Sequence, residues 1–229
     1  MKFSIENFVF GATDGTVTTF AVVAGAIGAS LSPSVVLILG FANLLADRFS
    51  MSIGNYLATK TKHEYIAMER KREEWEIENM VEEEKQEIRD IYARKGFTDE
   101  LLEDIVGVIT EKQNIWIDTM MREELGLIES KGRALDNALN TFFGFNIIGL
   151  IPLVPFIFLV LISSIHSTAN PFFYSVIFTG FAFFLIGCIR GKVVEKSLFR
   201  SGLNTLLIGG IAAFLAYMVG LILAVLIKQ

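Results

Sequence analysis

The sequence predicts an all-α membrane protein of five transmembrane helices, with an acidic helical insert between the second and the third. Three observations carry that fold class. Five segments each hold the roughly 20 mainly apolar residues that a helix needs to cross a bilayer. Hydrophobic residues make up 52% of the 229 positions and the mean hydropathy is +0.52, well outside a soluble profile. Charge is also unevenly placed: from Lys60 to Asp136 there are 13 Lys+Arg against 21 Asp+Glu, a balance of −8, whereas the rest of the chain has 7 basic and 4 acidic residues, a balance of +3.

The first span covers roughly Phe8 to Ser30 and the second roughly Pro33 to Ala58. Their connection, Leu31–Ser34, is so short that the two form a tight antiparallel hairpin. The third runs from Ala138 to Ile162, the fourth from Phe172 to Ile189 and the fifth from Leu203 to Ile227. Three regions follow: a transmembrane hairpin over 1–59, the insert over 60–136, and three spans over 137–229. In the insert, Lys60 to Ala93 contains no Gly or Pro and is dominated by Glu, Lys and Arg, so it reads as helix. A break falls at Lys95-Gly96-Phe97-Thr98-Asp99, where Thr98 or Asp99 is placed to cap the next helix, and another helix is expected over Glu111 to Glu129. Pro152 and Pro155 put two prolines in the third span, either to bend it or to free carbonyls that line a path. No repeat of 20 to 50 residues is present.

Basic residues in short loops orient a membrane protein with those loops in the cytoplasm. The first connection has no charge, and Ser163–Pro171 carries only the neutral His166. The fourth-to-fifth connection holds Arg190, Lys192, Lys196 and Arg200 against Glu195. That loop therefore belongs inside, which puts the N-terminus and the insert inside as well and the C-terminus outside. The N-terminal stretch lacks the order of a signal peptide, and no targeting extension precedes the first span, which favours a prokaryotic cell membrane. The single cysteine, Cys188, excludes an internal disulfide and a thiolate cluster. An insert of negative sign excludes nucleic acid as a partner and suits a multivalent cation.

Ionisable groups within a span are expensive and mark a function unless a partner explains them. Asp14 lies in the first span, Asp47 and Arg48 in the second. Asn43, Asp47, Met51 and Asn55 recur every four residues and share one helical face. In a hairpin centred between Leu31 and Ser32, Asp14 lies level with Phe49, flanked by Asp47 and Met51, about 9 Å inside the cytoplasmic end of the span. Two carboxylates, an amide and a thioether then converge, a donor set suited to a soft transition ion. The plainer alternative makes Asp14 a helix cap of a span starting at Thr16. Pairing of Asp47 with Arg48 is poor, since neighbours on a helix point about 100° apart. Small residues, Gly11 with Gly15 and Gly25 with Ala29, favour close helix contact.

In the insert, Glu73, Glu76, Met80, Glu84 and Glu87 follow helical steps of three, four, four and three, while Met120, Met121 and Glu124 lie within about one turn. Carboxylates at that spacing can share a divalent cation, which relieves their repulsion. A solvated acidic face is the plain reading. On a straight helix Glu73 and Glu87 stand about 21 Å apart, so one cluster requires a break between Glu78 and Glu83; otherwise they serve different ions, or a second subunit closes the site.

These residues resemble the vacuolar iron transporters, whose prokaryotic members are membrane-bound iron or manganese exporters. The resemblance rests on Asp14-Gly15, on Leu45-Ala46 leading to Ser50-Met51 with Gly54 and Tyr56, on the Glu-rich insert, on Met120-Met121 with Glu124, and on Gly149…Pro152…Pro155. It implies a homodimer of five-span subunits with a cytoplasmic metal-binding domain, exporting Fe²⁺ by proton antiport. The membrane path would use Asp14 and Met51. The family's glutamate in the second span falls on Asn43, a departure that Asp47, one turn away, is placed to offset. Glu73, Glu76, Glu84, Glu87, Glu124, Met120 and Met121 would bind metal in the insert. Iron, Mn²⁺, Co²⁺ and Zn²⁺ are the expected cargo, with no prosthetic group and no enzymatic activity. A di-iron ferroxidase would need Glu-x-x-His motifs, and Glu73-Glu74-Trp75-Glu76 has no histidine. A metal-storing or protein-binding scaffold would leave Asp14 and Asp47 without a role.

Overall fold

A computed structural model describes residues 2–128, 132–161 and 170–227, and among them every regular element is helical. Helix α1 (Ile5–Gly28) starts at Ser4, whose Oγ accepts from the backbone N–H of Asn7. Helix α2 (Pro33–Asn79) is one continuous element of 47 residues. Pro33 suits its first position, where a missing N–H costs nothing. The second span and the first insert helix are thus a single helix. It stops at Met80, whose backbone (φ −129°, ψ 42°) is not helical, and α3 (Val81–Arg94) begins there.

Helix α4 (Asp99–Thr110) follows the expected break, with Thr98 in the capping position but making no side-chain cap bond, and Asp99 at φ +54°. Helix α5 (Gln113–Glu123) is shorter than the Glu111–Glu129 expectation. It ends where Leu127 N–H turns back to Met121 O and Gly126 takes a positive φ; Glu129 itself lies outside the described residues. The third span is broken rather than merely bent. It comprises α6 (Ala134–Gly149), a 3-10 turn (Ile151–Leu153) and α7 (Val154–Leu161). The two prolines remove N–H donors there, and Ser175 Oγ donates 2.7 Å to Pro152 O. Ile162 and the following loop with His166 lie outside the described residues. Helices α8 (Pro171–Val193) and α9 (Leu198–Ile227) complete the chain.

Among the described residues, five helical stretches are fit by length and composition to cross a membrane: Ile5–Gly28, the apolar part of Pro33–Asn79, Ala134–Leu161, Pro171–Val193 and Leu198–Ile227. The protein is a multi-pass membrane protein. Its contacts divide into two units, Met1–Leu57 with Arg133–Gln229, and Ala58–Gly132.

In the first unit α1 packs against α6, α8 and α9. In lipid, close van der Waals approach replaces the hydrophobic drive, so small residues sit at the contacts. A Cβ on Gly11 would come 2.1 Å from Thr141 O, and one on Gly144 would come 2.2 Å from Phe8 O. At the other end of α1, Gly25 and Gly28 meet Ala216 and Tyr217, and a Cβ on Gly220 would lie 2.0 Å from Gly25 O. Phe20, Val23, Phe145, Leu153, Phe156 and Phe183 fill the core between these helices. Residues 33–57 of α2 join it through side chains, with Val36 and Leu44 buried and Gly40 beneath Leu153.

The second unit has its own apolar core, in which Ile77 of α2 meets Ile88 and Ile91 of α3, Val106 and Ile109 of α4, and Trp116 and Ile117 of α5. Ion pairs brace its rim. Arg70 reaches Asp118 at 2.7 Å, Arg89 grips Glu103 through two nitrogens at 2.6 and 2.9 Å, and Lys95 pairs with Glu123.

Candidate metal-handling sites

Within the first unit, Asp14 stands in the middle of α1, ten residues in from its Ser4 cap, which removes the capping explanation. Its carboxylate and that of Asp47 are near enough for their charges to interact. The Asn43–Asp47–Met51–Asn55 face of α2 is turned toward α1 and α6. Asn55 Nδ2 donates to Asn7 Oδ1 at 2.6 Å and to Thr141 Oγ1 at 2.7 Å, and Met51 packs on the core. On the opposite face Leu45, Phe49 and Ile53 are exposed.

Arg48 turns away from Asp47, as the 100° offset requires. Its guanidinium donates to Asn146 Oδ1 and lies 5.2 and 5.1 Å from the ring centres of Phe49 and Phe142. Among the described residues no ion pair joins it to Asp47. Cation–π contact and the amide let an arginine persist there without a carboxylate. On this stretch of α2, Asn43 Nδ2, Arg48 Nε and Ser52 Oγ are buried with no hydrogen-bond partner. Hydroxyls elsewhere bond back onto their own helix: Thr16 Oγ1 donates to Ala12 O at 2.7 Å and Thr18 Oγ1 to Asp14 O at 3.0 Å.

Within the second unit, the break at Met80 lies inside the window that a single carboxylate cluster requires. The helix that would have held Glu73 and Glu87 about 21 Å apart is instead two helices. Glu73 and Glu84 are 1% and 4% exposed, and Oε2 of each is buried without a partner. Burial pushes both carboxyls up to about 7. Around Glu73 the charges of Glu124, Glu84 and Glu76 add to it; around Glu84 those of Glu87, Glu76, Glu124 and Glu83 do. Glu124 is raised by burial and then by the charges of Glu87 and Glu76. Glu73, Glu76, Glu84, Glu87 and Glu124 therefore form one electrostatic group. Met80 is exposed at the break and stands apart from the stripe.

Met120 and Met121 are buried at 0% and 4% exposure in the apolar core of the unit, one turn before Glu124. Packing by itself accounts for their burial. Among the described residues no three His, Cys, Asp or Glu side chains stand close enough to ligate one ion as they are. Two groups escape a reading of the acidic stripe alone: Glu69, 4% exposed and one turn before Glu73, and Arg72, whose Nη1 lies 2.9 Å from Glu69 Oε2, at an angle too poor for a hydrogen bond. The i, i+4 spacing of Glu69 and Glu73 is the signal that extends the stripe back by a turn.

A helical multi-pass protein with aspartates inside its apolar spans, and buried carboxyl groups gathered in its second unit, fits the class of membrane metal-ion transporters. Sequence comparison narrows the class. The model of the VIT family matches residues 5–221. The chain is 33% identical over 226 residues to a vacuolar iron transporter of Plasmodium falciparum, covering 97% of this chain and 83% of that protein. It is 36% identical over 227 residues to that of Toxoplasma gondii, covering 97% and 75%. Vacuolar iron transporter 1 of Eucalyptus grandis is 35% identical over 214 residues, covering 93% and 84%. The chain belongs to the VIT family, and its function is metal-ion transport.

Proposed function

We propose that the protein moves Fe²⁺, and with it Mn²⁺, Co²⁺ or Zn²⁺, out of the cytosol in exchange for protons, working as a homodimer. Asp14 and Asp47 form the membrane step together with Met51 and the amide of Asn43. Glu73, Glu76, Glu84, Glu87 and Glu124, with Met120 and Met121 beside them, gather the ion on the cytoplasmic side. The observation that carries this reading is that Asp14 and Asp47 stand within apolar helices of a VIT-family chain, near enough for their charges to interact. Two like charges there are tolerable only with a shared cation or proton. A thioether beside oxygen donors favours a transition ion over Mg²⁺ or Ca²⁺.

The exposed Arg190, Lys192, Lys196 and Arg200 around the α8–α9 connection support a cytoplasmic N-terminus and insert, and an outer C-terminus. Direction follows from that orientation, because a carboxylate cluster on the cytosolic side loads ions from the cytosol. Coupling to protons follows from the carboxyl groups, since an ion binds the ionised form and must displace whatever protons they hold.

The test is a flux assay in proteoliposomes with an imposed pH gradient, with Fe²⁺, Mn²⁺, Co²⁺ and Zn²⁺ in competition. Asp14→Asn should abolish flux while the protein remains folded and monodisperse in detergent. Unchanged flux would remove Asp14 from the path, and flux indifferent to the pH gradient would remove the antiport.

A further inference from the structure

Arg72 lies among carboxylates that the proposed function assigns to metal. Its Nη1 is 2.9 Å from Glu69 Oε2 and its Nε is 3.5 Å from Glu76 Oε2. Its charge is also felt by Glu73 and by Glu124. It follows Glu69 by three residues and precedes Glu76 by four, so helical geometry alone keeps its guanidinium over the stripe. Several other cations of the unit pair elsewhere: Arg70 with Asp118, Arg89 with Glu103, Lys85 with Glu82 and Lys95 with Glu123.

We propose that Arg72 is a tethered counter-cation of the insert, neutralising Glu69 and Glu76 when the cluster is empty and giving Glu76 up to an incoming divalent ion. The inference rests on the metal-binding reading of the insert and concerns its regulation. Five glutamates around two buried, unpartnered oxygens repel one another, and a fixed positive charge at their edge tempers that repulsion. The same charge repels a divalent ion and occupies one of its ligands. Arg72 therefore lowers affinity, which a transporter needs in order to release its cargo. The side chain is 52% exposed, and an ion pair in such a setting is weak, so the guanidinium can swing into solvent as the metal enters. A positioning arginine that merely holds Glu76 in place would have the opposite effect on affinity.

The experiment is a Mn²⁺ titration of the full-length protein in detergent, following free Mn²⁺ by electron paramagnetic resonance. Arg72→Gln should bind Mn²⁺ more tightly than the natural protein, by roughly threefold to tenfold at low salt. Arg72→Lys, which keeps the charge, should stay near the natural value. The gain should shrink as salt is raised, because screening weakens the repulsion removed by the substitution. Equal or weaker binding by Arg72→Gln, with its helical circular dichroism and melting intact, would overturn the counter-cation role. Glu73→Gln/Glu84→Gln serves as the reference for the reading beneath it. If that variant binds as much Mn²⁺ as the natural protein, with the same response to Arg72→Gln, the insert is not the metal site and both ideas fall together.

Discussion

Glu73 and Glu84 illustrate what a carboxyl group does when the fold buries it with others of its kind. Each is held near 7 instead of the ordinary 4.5, so the folded state binds these protons more tightly than the unfolded chain. The linkage then has a definite sign. Their contribution to stability is fully present below about pH 4.5 and is lost as pH rises through about 7. The two interact, so they titrate as a pair. In the absence of metal, thermal melting of the protein should therefore occur at a higher temperature at pH 6 than at pH 8, a difference that Glu73→Gln/Glu84→Gln should erase. Metal affinity runs the other way. Divalent binding should weaken by roughly tenfold or more from pH 8 to pH 6, as protons compete for the same oxygens, and calorimetric titration at the two pH values reads this directly. The residues of this cluster were legible one by one, from carboxylates at steps of three and four. Arg72 was legible only as a member of a charged run, because spacing put it on one face with Glu69 and Glu76 but did not show that Glu69 would be buried.

At the scale of elements, the glycines of α1 and its partners set how near the helices come. Gly144→Ala would drive a Cβ to 2.2 Å from Phe8 O, a backbone atom that cannot step aside, whereas a Cβ on Gly210 would meet nothing within 4 Å. Gly144→Ala should lower stability by about 1–3 kcal/mol, the usual cost of overpacking, and lower the melting temperature in detergent. Gly210→Ala should leave it unchanged or raise it slightly, since alanine is the better helix former. A tolerated Gly144→Ala would refute the close α1–α6 contact. The small-xxx-small spacings of Gly11 with Gly15 and Gly25 with Ala29 pointed to tight contacts but not to their partners, which are α6 for the first and α9 for the second. The stop at Met80 was less legible still, because no glycine or proline marks it. It is imposed by tertiary packing: Ile77 lies before the break, Ile88 and Ile91 after it, and all three are buried in one apolar core. Had the helix continued through Met80, those side chains could not have met, and local propensity yields to that burial.

For the molecule as a whole, apolar length identifies a multi-pass membrane protein, and charge segregation marks off the acidic segment between its second and third apolar stretches. The segment Ala58–Gly132 has its own apolar core and its own bracing ion pairs. Expressed alone, it should show a helical circular dichroism spectrum and a cooperative melt, and Mn²⁺ at pH 8 should raise its melting temperature by relieving carboxylate repulsion. A fragment that stays unfolded with or without metal would contradict its autonomy. Least legible at this scale was the third span, where two prolines announced an irregularity but not that α6 and α7 would be separate helices joined through a 3-10 turn, with Ser175 taking up a freed carbonyl.

The seating of α1 has a mechanical corollary. Its glycine contacts with α6 and α9 are backbone on backbone, and rigid surfaces pressed that closely do not slide without first separating. Residues 33–57 of α2 are held differently, by leucine, valine, methionine and amide side chains, which can exchange rotamers at little cost. Of the two aspartates within the spans, Asp14 thus stands on the helix seated backbone on backbone and Asp47 on the helix held by side chains.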